Sequence, residues 1–185
     1  MSEGTKYNVE IQNVVATSSL ETRIDLIAIL KVFRNTEYRP KRFPGLVFKL
    51  KQPKTATLIF STGKLVCTGA KSEKLAHSAI RKVVRELRKE GFIIRKSPKI
   101  KVVNMVASAD IHGKVDLEDA SMLLDNIMYE PEQFPGAVYR MKEPKVVILI
   151  FSSGRLVLTG AKKEEQVHEA AEKIHGILLE NELIY

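Results

Sequence analysis

Leu58-Ile59-Phe60-Ser61-Thr62-Gly63-Lys64-Leu65-Val66-Cys67-Thr68-Gly69-Ala70-Lys71 returns later in the chain as Leu149-Ile150-Phe151-Ser152-Ser153-Gly154-Arg155-Leu156-Val157-Leu158-Thr159-Gly160-Ala161-Lys162. Two short apolar runs separated by Ser-Thr-Gly or Ser-Ser-Gly read as a β-hairpin. The return of the whole stretch at an offset of 91 residues decides the architecture. Moving outward at that offset, Phe43-Pro44-Gly45 meets Phe134-Pro135-Gly136, and Asn13-Val14-Val15-Ala16 meets Asn104-Met105-Val106-Ala107. No gap is needed between residues 11 and 94, and roughly a third of the paired positions are identical. A period this long exceeds any solenoid unit and is the length of a small domain half. Two such halves pack about a pseudo-two-fold axis through self-complementary surfaces. The expected halves are residues 7–96 and 99–185, joined at Lys96-Ser97-Pro98-Lys99.

Within one repeat, Val9, Ile11, Asn13 and Val15 alternate along a strand. Asp25 then precedes Leu26, Ile29, Leu30 and Phe33 at helical spacing, and Asp116-Leu117 opens the matching helix. Pro40 and Pro44-Gly45 punctuate a loop. Strands are expected over 46–50, 55–60 and 64–68, with Gly69 ending the sheet. A long helix is expected over 72–90, with Leu75, Ala79, Ile80, Val83 and Leu87 as its apolar stripe. The class is α+β with antiparallel pairing.

The 185 residues carry a net charge of +8, unevenly spread. Residues 1–98 hold 20 Lys and Arg against 8 Asp and Glu; residues 99–185 hold 10 against 14. A basic half joined to a mildly acidic half points to two faces with different partners, a polyanion among them. The lone Cys67 excludes a disulfide framework and a zinc site built on cysteine pairs, and fits a reducing compartment. Its counterpart is Leu158, so it reads as a small core residue. No apolar run spans a bilayer and no charged-then-apolar leader opens the chain, so an intracellular location is expected, without membrane partners. His77 and His168 match across the repeat without a ligand partner, and no phosphate-cradling glycine loop or nucleophile elbow is present. Neither catalysis, a metal nor a cofactor is expected.

One face of the sheet needs explaining. Thr57 and Ile59 share one side of their strand, while Ala56, Leu58 and Phe60 share the other. An antiparallel sheet ordinarily solvates one face with polar residues. Two helices per repeat cover only one side, so the second apolar face meets something else: a buried sandwich, a dimer interface or a ligand. Phe33, Phe48 and Phe92 align with Leu124, Tyr139 and Leu183, as core sites tolerating other apolar shapes do. Phe43 and Phe60 instead align with Phe134 and Phe151, all four beside loop tips. Cations are also matched: Lys49, Lys64 and Lys71 with Arg140, Arg155 and Lys162. An apolar strip bordered by cations suits a DNA minor groove, whose floor is sugar and base edge and whose rims are phosphate.

These residues resemble the TATA-box-binding protein family over nearly the whole chain. The motifs that carry the likeness are Arg42-Phe43-Pro44-Gly45, Leu58-Ile59-Phe60, Thr68-Gly69-Ala70-Lys71 and Tyr129-Glu130-Pro131-Glu132-Gln133-Phe134-Pro135-Gly136. The resemblance implies a pseudo-two-fold saddle: a curved antiparallel sheet of about ten strands, four helices on its convex face and DNA beneath. It implies that Phe43 with Phe60, and Phe134 with Phe151, are wedges driven between base steps. Asn13 and Asn104 correspond to a central pair donating to minor-groove acceptors. Val15, Leu58, Val66, Thr68, Val106, Leu149, Val157 and Thr159 correspond to the contact floor, and the six matched cations to phosphate contacts. Six such contacts imply a log–log salt slope of about −5. The implied activity is transcription initiation at A·T-rich promoter DNA, with transcription factor B and the RNA polymerase pre-initiation complex as partners. Few residues precede the first strand, which fits archaeal members and a nucleoid location, against the nucleus for eukaryotic ones. The loop Arg39-Pro40-Lys41-Arg42 is basic and Glu130-Pro131-Glu132 acidic, so Glu130, Glu132 and Gln133 are the expected site for a basic transcription factor B. Arg81, Lys82, Arg85, Arg88 and Lys89 on helix 72–90 are a candidate surface for regulators.

Two other readings fit the same surface. A single-strand RNA or DNA binder would use the aromatics as stacking platforms. An apolar-ligand or protein-interaction module would use the bare sheet without a polyanion.

Overall fold

The computed structural model describes residues 7–185. They form ten strands and four helices: β1 (Asn8–Ser19), α1 (Leu26–Val32), β2 (Thr36–Glu37), β3 (Leu46–Lys51), β4 (Lys54–Ile59), β5 (Lys64–Ala70), α2 (Glu73–Lys89), β6 (Lys101–Asp110), α3 (Leu117–Leu123), β7 (Ile127–Met128), β8 (Ala137–Met141), β9 (Val146–Ile150), β10 (Arg155–Ala161) and α4 (Glu164–Glu180). The α+β class and the antiparallel pairing are as expected. None of the described helices is long and apolar enough to cross a membrane.

Two compact units result. The N unit is Asn13–Val103; the C unit is Asn104–Tyr185 together with residues 7–12. The strand order is β2-β3-β4-β5-β1 in one and β7-β8-β9-β10-β6 in the other. The first half of β1 is held in the C unit by its own contacts. Gln12 Nε2 donates to Ser108 Oγ at 2.8 Å, and the Tyr7 ring packs 5.4 Å from the His175 ring.

Local chemistry explains the helix starts. The Asp25 carboxylate accepts the N–H groups of Ile27 and Ala28 at 3.0 and 3.2 Å, and Asp116 accepts that of Asp119 at 3.0 Å. Ser72 caps α2 by accepting the Leu75 N–H at 3.1 Å. Helix α4 lacks a side-chain cap at Lys163; the Gln166 side chain reaches back to the Lys162 N–H at 2.9 Å instead.

Each helix buries one stripe. In α2 that stripe is Ala76, Ala79, Ile80, Val83, Val84 and Leu87. Leu75, expected in it, is 40% exposed, because the stripe drifts round the helix by one position and Ala76 takes the inner place. In α1, Leu26 and Ile29 are buried, Leu30 stays on the outer side, and Phe33 lies at the C-cap rather than inside the helix. Against these stripes lie Thr57, Ile59, Leu65 and Cys67 of the N unit and Ile148, Ile150, Leu156 and Leu158 of the C unit, all fully buried or within 1% of it. Each large aliphatic side chain contributes about 1.5–3 kcal/mol on full burial. Burial also raises the Cys67 thiol above its ordinary value.

Gly69 does not end the sheet. Strand β5 runs on to Ala70, and Gly69 sits at φ +97° beside a register shift in β1 between Val14 and Ala16. Gly160 repeats this at φ +101°, beside the shift between Thr159 and Ala161. Both positions are β-bulges that require the left-handed backbone region. The two-residue strands β2 and β7 add edges that alternation over so short a length does not reveal.

Candidate nucleic-acid interface

The sheet face away from the helices is built from cross-strand rows. In the N unit, β4 places Leu58 between Val47 and Val66, and Val66 stands opposite Thr17. In the C unit, β9 places Leu149 between Val138 and Val157, and Val157 stands opposite Ser108. The neighbouring rows are Lys49, Ala56, Thr68 and Arg140, Val147, Thr159, Val106. All these residues are half-buried except Lys49 and Arg140, which are exposed. In each unit these rows form a mostly apolar floor, uncharged but for one cation at the β3 or β8 end of the second row, Lys49 or Arg140. Lys64 and Arg155 are exposed on the same face, two residues before Val66 and Val157. Lys71 and Lys162 follow the ends of β5 and β10 and are also exposed. Lys49 additionally stands 3.9 Å from Glu37.

Asn13 and Asn104 are fixed by the bulges. The Gly69 N–H donates to Asn13 Oδ1 at 2.6 Å, and Asn13 Nδ2 donates to Thr68 Oγ1 at 2.9 Å. In the other unit, the Gly160 N–H donates to Asn104 Oδ1 at 2.7 Å, and Asn104 Nδ2 donates to Thr159 Oγ1 at 3.2 Å. The carboxamide oxygen is thus committed to the backbone, and the amide nitrogen keeps a second hydrogen to offer. Each unit presents a donor of fixed orientation in a neutral floor, the complement of a groove edge that carries only acceptors.

The four phenylalanines pair within their units. Phe43 and Phe60 have ring centroids 5.8 Å apart at 66°, and Phe134 and Phe151 repeat this at 5.8 Å and 65°. Phe43 and Phe134 are 42% and 39% exposed, against 1% for the core ring of Phe48. Phe60 and Phe151 are half-buried at the ends of β4 and β9, where their N–H groups donate to Lys64 and Arg155 carbonyls at 3.0 and 2.9 Å. The edge-to-face arrangement needs Gly45 and Gly136. A Cβ at Gly45 would lie 2.8 Å from the Phe43 ring and 3.1 Å from the Phe60 ring; at Gly136 the distances are 2.9 and 3.1 Å. This role of the Phe-Pro-Gly turn is invisible in the sequence.

Also missed were Thr17, Val47, Ser108 and Val138, which complete the rows and are legible only from strand register. A hollow of about 610 Å³ on the C unit, lined by Phe151, Arg155 and Val157, also holds Glu10 and Asp110. Glu130, Glu132 and Gln133 lie exposed in one loop. Of the expected α2 cations, two have structural work: Lys82 Nζ donates to the Gln52 carbonyl at 2.8 Å, and Arg88 donates to the carbonyls of Ile94 and Lys96, both at 2.9 Å. Arg81, Arg85 and Lys89 remain as the exposed basic face. His77 lies 3.8 Å from Glu73 one turn away.

The family described as "Transcription factor TFIID (or TATA-binding protein, TBP)" matches residues 8–90 and again 99–181. The chain is 50% identical over 175 residues to a TATA-box-binding protein of Sulfolobus acidocaldarius, covering 95% of this chain and 89% of that one. It is 52% identical over 170 residues to the TATA-box-binding protein of Pyrodictium occultum, covering 92% and 85%. Among solved structures, Methanococcus jannaschii TBP superposes with a TM-score of 0.84 at 46% identity, over 94% of this chain and 99% of the other.

Proposed function

The chain belongs to the TATA-binding protein family and is a TATA-box-binding transcription factor, and from that premise we propose how its residues read DNA. The open sheet rows take the minor groove of A·T-rich duplex. Asn13 and Asn104 donate to the adenine N3 and thymine O2 acceptors, and Val15, Leu58, Val66, Thr68, Val106, Leu149, Val157 and Thr159 form the floor. A guanine adds an N2 amino donor to the groove edge, which finds no acceptor on an aliphatic floor. The observation that carries this reading is the commitment of each asparagine oxygen to a bulge N–H, which leaves a donor facing outward in both units.

Phe43 with Phe60, and Phe134 with Phe151, enter as wedges at the ends of the site and kink the duplex. Wedges of this kind, for which the TATA-binding family is itself a type example, cost a few kcal/mol of unstacking per step. Steps of the TA type unstack most easily, so deformability adds to the preference. Lys49, Lys64, Lys71, Arg140, Arg155 and Lys162 hold the phosphates. The acidic loop with Glu130, Glu132 and Gln133 receives transcription factor B, which brings RNA polymerase; Arg81, Arg85 and Lys89 of α2 receive acidic regulators. The protein works inside the cell, at the nucleoid.

Inosine tests this directly, because I·C has a cytosine-guanine-like major groove and an A·T-like minor groove. Equal affinity for TATA duplex and its I·C replacement, with G·C replacement and single strands both binding far more weakly, is the expected result. Loss of binding to the I·C duplex, or preference for the single strands, refutes minor-groove reading.

A further inference from the structure

The two units differ at one backbone edge. In the C unit the chain's last residues pair ahead of α3: the Tyr185 N–H donates to the Lys114 carbonyl at 2.9 Å, the Lys114 N–H to the Tyr185 carbonyl at 3.0 Å, and the Asp116 N–H to the Leu183 carbonyl at 3.0 Å. Val115 and Ile184 form an antiparallel bridge there. The matched N-unit positions are Arg23-Ile24-Asp25 and Phe92-Ile93-Ile94. The Ile24 N–H still donates to the Ser61 carbonyl at 3.0 Å, as Val115 does to Ser152. The Arg23 and Asp25 N–H groups, however, have no partner among the described residues. Arg88 has drawn the following chain away by its bonds to Ile94 and Lys96. Ile93 is left 74% exposed beside a groove of about 330 Å³ lined by Leu20, Glu21, Thr22, Ile93, Arg95 and Lys96.

We propose that this edge docks an extended peptide of a partner protein, an aliphatic residue flanked by carboxylates, which adds as a short antiparallel strand along Arg23–Asp25. Two N–H groups at alternate residues face one side of an extended backbone, the pattern that strand addition uses. The aliphatic requirement comes from Ile93. The acidic requirement comes from Arg23 and Arg95, which make no ion pair among the described residues; Lys96 beside them is already paired with Glu21 at 3.2 Å. The C unit displays the same solution in Leu183-Ile184-Tyr185, the last three residues of the hexapeptide Glu-Asn-Glu-Leu-Ile-Tyr at positions 180–185.

That hexapeptide, synthesised and titrated into the full-length protein, is the probe. Amide NMR is expected to show saturable shifts and slowed hydrogen exchange at Arg23 and Asp25, with the Ile24 amide already protected. Ile93→Asp alters an exposed side chain and leaves the fold intact; it is expected to weaken binding about tenfold or more, the loss of one apolar contact. Arg95→Glu is expected to weaken it as well. Absence of saturable change at those two amides, or equal binding by Ile93→Asp, overturns the proposal.

Discussion

The N–H of Gly69 lies 2.6 Å from the side-chain oxygen of Asn13, and only a residue at home at φ +97° can aim it there. The bulge glycine therefore sets which end of the carboxamide faces outward. Aspartate at position 13 would still accept from Gly69 but would offer no donor, and it would set a charge against groove acceptors. Asn13→Asp and Asn104→Asp are expected to weaken TATA binding more than the corresponding alanine variants do, at unchanged thermal stability. Titration of labelled duplex checks this; equal losses for aspartate and alanine would show that the amide donates nothing.

Gly45 and Gly136 make room for the ring pairs. A methyl group at 2.8–2.9 Å from the outer ring cannot be accommodated in place, but that ring can swing aside because it is exposed. The glycines are buried but the ring that yields is not, so Gly45→Ala and Gly136→Ala are expected to cost only about 1 kcal/mol, the low end of overpacking. Their effect should fall on DNA bending, read by resonance energy transfer between the duplex ends. A stability loss with normal bending would contradict the assignment.

Six matched cations predict a log–log salt slope of about −5, and each replacement by glutamine should flatten it by about 1. Lys64→Gln and Arg155→Gln test both units. Affinity measured across a salt series is the readout. An unchanged slope removes that side chain from the phosphate contacts.

Glu130 and Glu132 are exposed and distant in role from the floor residues. Charge reversal of both is expected to abolish recruitment of transcription factor B to the DNA complex while duplex affinity changes less than about threefold, within the 0–1 kcal/mol of exposed charges. A supershift assay separates the two effects. Full recruitment by the reversed variant counts against this loop.

The repeat, the strand–helix order and the apolar face that carries Leu58 and Val66 were legible because period-2 alternation and a gapless offset of 91 residues are carried by residue type alone. The exposure of Leu30 and Leu75 was not, since one leucine on a helix serves equally at a stripe's rim or its centre. Nor was the division of labour on α2, where Lys82 binds a carbonyl of a distant loop, Arg88 binds those of the segment after the helix, and Arg81 and Arg85 do neither. The bulges hid behind Gly69 and Gly160, because glycine after a strand reads as a terminator until register is known. The same holds for Glu10 and Asp110, which line one hollow because the first half of β1 belongs to the C unit.

The paired aromatic rings of the open sheet face are expected to kink duplex DNA by unstacking its end steps. The most direct measurement replaces the adenine at each end step of a TATA duplex by 2-aminopurine, whose fluorescence rises on unstacking. Wild-type protein is predicted to raise the signal at both ends, Phe60→Ala to abolish it at one end and Phe151→Ala at the other, with affinity falling by about 1–3 kcal/mol for each. An unstacking signal that survives both substitutions, or tight binding with no signal at either end, would contradict the account.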